Sequence, residues 1–189
     1  MANLEIENII VASHLGKDVE LIKLATELPN ARYSSSGNPS VIIELDRTNP
    51  KFIGHKRLKA AGVLFGNGKV LVTGISSLQE GKEIIAKLKT SIVNIDPKIS
   101  TKRATKIENI VTKINFGKKL DLQKISNAVP GSEYDPLRFQ GLIMRVDNPL
   151  ASFILFESGV AIITDIVSEA KAKKAFKELN RLIKDIIVS

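Results

Sequence analysis

The chain has 189 residues, 43% of them hydrophobic, enough for a real core as one domain or as two packed halves. It contains no cysteine, which excludes disulfides and thiolate chemistry, and its two histidines, His14 and His55, are too far apart in sequence for metal-ligand spacing. A formal charge of +8 favours an anionic partner such as nucleic acid, and no apolar run approaches the ~18 residues needed to cross a bilayer, so the expected setting is intracellular, without membrane contact.

Residues Leu4–His14, rich in isoleucine and valine, predict a strand. After Gly16, the apolar periodicity of Asp18–Leu28 predicts a short helix, with Asp18 at its N-terminal end and Pro29 stopping it. An extended piece around Tyr33 leads into meander strands Ser40–Asp46, Ala61–Phe65 and Lys69–Ile75, the last two joined by the turn Gly66-Asn67-Gly68. The amphipathic stretch Ser77–Asn94 predicts a long helix, and Asp96–Lys106, with Pro97 and four basic residues, predicts a connector.

The pattern then repeats. Ala104–Phe116 predicts a strand, Asp121–Val129 a short helix ended by Pro130, and Tyr134 an extended piece. Gln140–Asp147, Ala151–Phe156 and Val160–Ile166 predict strands, and Ser168–Ile187 a closing helix. Ile-Glu-Asn-Ile opens both copies, at Ile6–Ile9 and Ile107–Ile110, and Asn8, Gly16, Pro29 and Tyr33 recur as Asn109, Gly117, Pro130 and Tyr134, each 101 residues on. Later landmarks, Phe65, Gly68 and Thr73, recur 91 residues on as Phe156, Gly159 and Thr164. Copy one therefore carries ten extra residues between about Arg47 and Ala60. The repeat is too long for a solenoid unit, so each copy is expected to be a folded half: 1–96 and 107–189, with 97–106 between them. Strands with helices on one sheet face leave the other face with Ile10, Val63, Leu71, Val111, Ile154 and Ile162, an apolar surface that marks interaction.

Three features in this order, given twice, resemble the TATA-box-binding protein family over essentially the full chain. They are the openings Asn8-Ile9-Ile10 and Asn109-Ile110-Val111, the segment Tyr134, Pro136, Phe139, Gly141, Ile143, Arg145, and the Leu-Phe-x-x-Gly hairpins with their following threonines. The resemblance implies an α+β fold, a pseudo-twofold saddle of two repeats forming one curved ten-stranded antiparallel sheet with helices on the convex face. It implies no enzymatic activity, cofactor or metal. It implies that the concave face lies on a widened minor groove, where a mainly apolar sheet favours A·T steps because they lack the guanine amino group.

By the same resemblance Asn8 and Asn109 donate to base acceptors, Thr73 and Thr164 add two more bonds, and the six aliphatic residues above touch the groove. Phe139 and Phe156 match one pair of wedges that part base steps, and Phe65 matches half of a second pair. Its missing mate falls on Asn38, with Phe52 in the insertion as a substitute. Arg145 matches a phosphate-contacting arginine whose counterpart here is Glu44. Lys69 is matched across the repeats by Val160, and Arg32, Arg47, Lys51, Lys56, Arg57 and Arg138 are candidates to compensate. Taken alone, strand phenylalanines are usually core, asparagines at strand ends often bond local backbone, and the lysines of the closing helices are a solvated face. Phe116, Phe153 and Phe176 are expected in packing.

The implied partners are double-stranded promoter DNA, a transcription factor IIB-like protein docking at Asp135 and Leu137, RNA polymerase indirectly, and a weak homodimer in the DNA-free state. The implied place is the cytoplasm, on the nucleoid, for an archaeal protein and the nucleus for a eukaryotic one; the compact length favours the former. The alternative reading, motivated by Asn38 and Glu44, is a diverged paralogue acting as a protein-binding regulatory scaffold. An enzyme built around such a saddle would need a further domain for which the repeats leave no room.

Overall fold

The computed structural model describes residues 4–45, 60–99 and 102–187. Arg47, Lys51, Phe52, His55, Lys56 and Arg57 lie outside them. Nine strands and four helices occur among the described residues: β1 (Leu4–His14), α1 (Leu21–Glu27), β2 (Ala31–Ser34), β3 (Ser40–Leu45), β4 (Ala60–Phe65), β5 (Lys69–Ile75), α2 (Leu78–Ile95), β6 (Lys106–Asn115), α3 (Leu122–Ala128), β7 (Gly141–Asp147), β8 (Leu150–Phe156), β9 (Val160–Ile166) and α4 (Glu169–Ile187). They form two compact units, Asn8–Glu108 and Met1–Glu7 with Asn109–Ser189.

In the first unit the strands run β2-β3-β4-β5-β1, and in the second β6-β9-β8-β7, each pair antiparallel. Residues alternate strictly between faces. In the first unit Val11, Val41, Ile43, Leu64, Val70 and Val72 are buried; Gly81 of α2 lies so close to this side that an added Cβ would come within 2.6 Å of Val11 Cγ2. In the second, Ile114, Leu142, Met144, Phe153, Leu155 and Ile163 are buried in the same way, and Phe153 is core as expected. Most residues of the opposite parity are half-exposed or exposed in both units, with Ser40 and Gly141 buried at the strand starts.

The hairpin glycines are required. Gly68 and Gly159 have φ of 81° and 88°, and a Cβ at either would sit about 2 Å from the carbonyl oxygen of Lys17 or Lys118. Ser77 caps α2 by accepting from the Glu80 N–H at 3.1 Å, while Glu80 reaches back to the N–H and hydroxyl of Ser76. The chain before β6 is pinned by Arg103, whose carbonyl accepts from Lys89 Nζ at 2.8 Å and from Ser13 Oγ at 3.1 Å. Burial holds the Lys89 ammonium below its ordinary pKa.

Three expectations need correction. Asp18 does not open a helix: α1 begins at Leu21 after Glu20, which caps nothing with its side chain, whereas Asp121 does cap α3 through the Lys124 N–H at 2.9 Å. Strand β6 begins at Lys106, so the end of the expected connector is already paired sheet. Ten strands become nine because the second copy of β2 shrinks to one bridge, Glu133 to Ile143. Pro136 supplies no N–H, and the next residues close a turn on Asp135, whose carbonyl accepts from the Arg138 and Phe139 N–H groups.

Candidate nucleic-acid interface

The open face of the first unit is a lateral row, Ile42, Val63, Leu71 and Ala12, each opposite the next on its neighbouring strand. Its counterpart in the second unit is Ile143, Ile154, Ile162 and Lys113. Ile10 and Val111 are half-exposed on β1 and β6. Of these, Ala12, Ile42 and Lys113 were not expected from the sequence, and Ile143 was expected only as part of the segment from Tyr134 to Arg145 and not on this face, although two-residue steps from Ile10 and Val111 reach Ala12 and Lys113 and from Arg145 reach Ile143.

Polar groups on this face are held at matching bulges. The register slips between Ile9 and Val11 and again between Ile110 and Thr112, which leaves Thr73-Gly74 and Thr164-Asp165 bulged. Asn8 fills the first bulge: its Oδ1 accepts from the Gly74 N–H at 2.8 Å and its Nδ2 donates to Thr73 Oγ1 at 2.9 Å. Asn109 does the same in the second unit, accepting from the Ile166 N–H at 3.2 Å and donating to Thr164 Oγ1 at 2.8 Å. Since a backbone N–H can only donate, each amide is fixed with oxygen towards the main chain. The second Nδ2 hydrogen and the threonine hydroxyl hydrogen then remain to be donated outward. The local-backbone bond and the outward-donor role are thus parts of one arrangement.

Phe139 and Phe156 stand 6.1 Å apart, edge to face at 71°. Phe139 is 43% exposed, and its ring lies over Gly141, where an added Cβ would meet Phe139 Cε1 at 2.6 Å. In the first unit Phe65 is paired across the ladder with Ser40, the counterpart of Gly141, and Asn38 is exposed. Among the described residues no second ring accompanies Phe65.

Charge on the outer strands is exchanged between repeats. Arg145 Nη1 binds Glu133 Oε1 at 3.0 Å in the second unit; the equivalent positions in the first hold Glu44 and Arg32, the same two charges in the opposite order. Arg32 lies opposite Ile42, on the open face. Lys69 is not free to meet a distant anion without exchange, since Glu108 Oε1 holds its Nζ at 2.6 Å, and Lys113 faces Glu7 at 3.9 Å. Around the turn after Tyr134, Asp135 pairs loosely with Arg138 at 3.5 Å and accepts from the Leu137 N–H, while Leu137 itself is 97% exposed. No cluster of three or more metal-binding side chains and no helix long and apolar enough to cross a membrane occurs among the described residues.

Two duplicated strand faces, each with an apolar row and a fixed amide–hydroxyl pair, match a class of DNA-binding transcription factors rather than enzymes. The model of the family described as "Transcription factor TFIID (or TATA-binding protein, TBP)" matches residues 3–95 and 104–186, and the chain belongs to that family. It is similar to the TATA-box-binding protein of Methanothermobacter thermautotrophicus, 32% identical over 90% of this chain and 89% of that one. The TATA-box-binding protein of Pyrococcus furiosus is also 32% identical, over 94% and 88%. A solved structure, "Methanococcus jannaschii TBP", superposes with a TM-score of 0.77 at 30% identity, covering 97% of this chain and 99% of that one, so the chain has that fold.

Proposed function

We propose that this protein is a general initiation factor that binds A·T-rich promoter DNA through the minor groove, bends it, and presents it to a transcription factor IIB-like partner and RNA polymerase. The observation that carries this reading is the fixed polarity of Asn8 and Asn109. Each offers donors only, with a threonine hydroxyl beside it, and the minor-groove edge of an A·T pair offers acceptors only. Guanine would bring a donor, its amino group, against these donors and against the aliphatic rows. Phe139 and Phe156 act as a wedge pair at a base step, a use of which this family is itself a known example, and Phe65 lies on the groove at the other end of the site. Arg145 and Arg32 reach phosphate, Lys69 does so after leaving Glu108, and the exposed Leu137 beside Asp135 is the docking point for the partner protein.

Fluorescence transfer between end labels on an A·T-rich duplex tests the reading. Shortening of the end-to-end distance at micromolar protein, absent on a G·C-rich duplex, is the expected result. An unbent A·T duplex would instead support the protein-binding scaffold, which the exposed Asn38 and Glu44 favour.

A further inference from the structure

The two repeats differ where Phe139 stands. Its ring needs a bare α-carbon beneath it, because a Cβ on Gly141 would lie 2.6 Å from Cε1 and 3.1 Å from Cζ. Ladder partners are equivalent in the two units, Gly141 opposite Phe156 and Ser40 opposite Phe65. The first repeat therefore differs at both positions together: Asn38 stands where the second repeat has the ring, and a buried serine stands where the second has the glycine beneath it. A lone Asn38 could be a chance loss of an aromatic residue; the matched Ser40 shows a surface repacked to do without one.

Resting on the DNA-binding reading above, we infer that this protein parts a base step at one end of its site only, the end held by the Phe139–Phe156 pair, so that the complex has a built-in direction. A ring pair entering a base step requires unstacking, which is easiest at a pyrimidine–purine step such as TA or CA. The half of the site under Phe139 therefore demands a deformable step, while the half under Asn38 and Ser40 needs only an A·T groove of the right width. Asn8–Thr73 and Asn109–Thr164 are alike and supply no direction, so the rings decide which way the protein lies.

The test uses the full chain and A·T-rich duplexes with a pyrimidine–purine step at one end, at both ends or at neither, each carrying 2-aminopurine beside one terminal step. The expected result is equal affinity for the one-step and two-step duplexes and weaker binding to the duplex with none. Aminopurine emission should rise several-fold at the deformable end and stay unchanged at the other. Asn38→Phe combined with Ser40→Gly should produce the rise at both ends, whereas Asn38→Phe alone should not, for want of room beneath the ring. A duplex with two deformable steps can be bound either way round, so the one-step duplex decides: a rise at its rigid end with the native chain overturns the inference, and if Phe52→Ala then abolishes that rise, the insertion supplies the ring. Failure to bind any A·T-rich duplex in preference to a G·C-rich one would sink the DNA-binding reading itself and is separately visible.

Discussion

Ser152 donates its hydroxyl to Asp165 Oδ2 at 2.5 Å, and Asp165 holds a left-handed backbone with φ 64°, where its counterpart in the first repeat is Gly74 with φ 78°. The bulge needs this conformation in both units, and aspartate is among the residues that tolerate it. The second repeat thus carries a carboxylate at its bulge, where the first has a glycine with no side chain.

Asp165→Gly removes that carboxylate without altering the bulge. Loss of the Ser152 bond and gain of unfolded-chain freedom oppose relief of the left-handed strain, so stability should stay within about 1 kcal/mol. Duplex affinity should rise several-fold at low salt and less at high salt, because an unfavourable charge near phosphates is screened by ions. Titrations at two salt concentrations would check this, and an unchanged affinity at low salt would place the carboxylate away from the bound strand.

Asn109→Asp keeps the shape of the side chain and reverses its chemistry. One carboxylate oxygen can still accept from the Ile166 N–H and the other from the Thr164 hydroxyl, so the fold should persist. Nothing then remains to donate outward. Binding to A·T-rich duplex should weaken by about 1–3 kcal/mol, roughly fivefold or more, with little change in melting temperature. Competition binding set beside thermal unfolding separates the two effects.

Thr112 is fully buried, and its hydroxyl has no hydrogen-bond partner among the described residues; the first repeat has Val11 at this place. Valine has nearly the same shape and removes an unsatisfied polar atom. Thr112→Val should raise stability by about 1–2 kcal/mol, read as a higher denaturant midpoint with an unchanged slope.

Asp96, which ends α2, is bonded by Lys17 Nζ at 2.8 Å. That bond, followed by the Lys98 N–H, holds the carboxyl below the usual carboxylate range. A depressed folded pKa means that this stabilisation is complete above the unfolded value of about 3.9 and disappears as pH falls through the folded one. Asp96→Asn should therefore melt below the native protein near neutral pH, and the gap should close under acid. Parallel melting curves from neutral to acidic pH would show it.

Much of this was legible in the sequence because duplication lets one copy annotate the other. Strand limits at Lys69–Ile75 and Val160–Ile166 coincide with the structure, since alternating apolar residues between glycine turns leave little choice. Asp18 misled because an acidic residue near a helix start is common whether or not it caps, and the extended piece at Tyr134 because a single bridge and a strand look alike until Pro136 is placed. The ion pair of Glu133 with Arg145 was hidden because these residues meet only through the pairing of separate segments, the bridge of Glu133 with Ile143. Glu108 beside Lys69 stayed hidden for the same reason: 39 residues apart in sequence, they are neighbours only once folded.

The seat beneath Phe139 carries a historical implication. A lineage that loses such an aromatic residue can fill the vacated space with a small hydroxyl in one later substitution, and an exposed Asn38 with a buried Ser40 is the arrangement that would result. Going back requires both replacements, and a bulky side chain arriving first would collide with the serine. Drift at this spot therefore runs like a ratchet, and descendants of this chain should keep their lopsidedness even where selection no longer favours it.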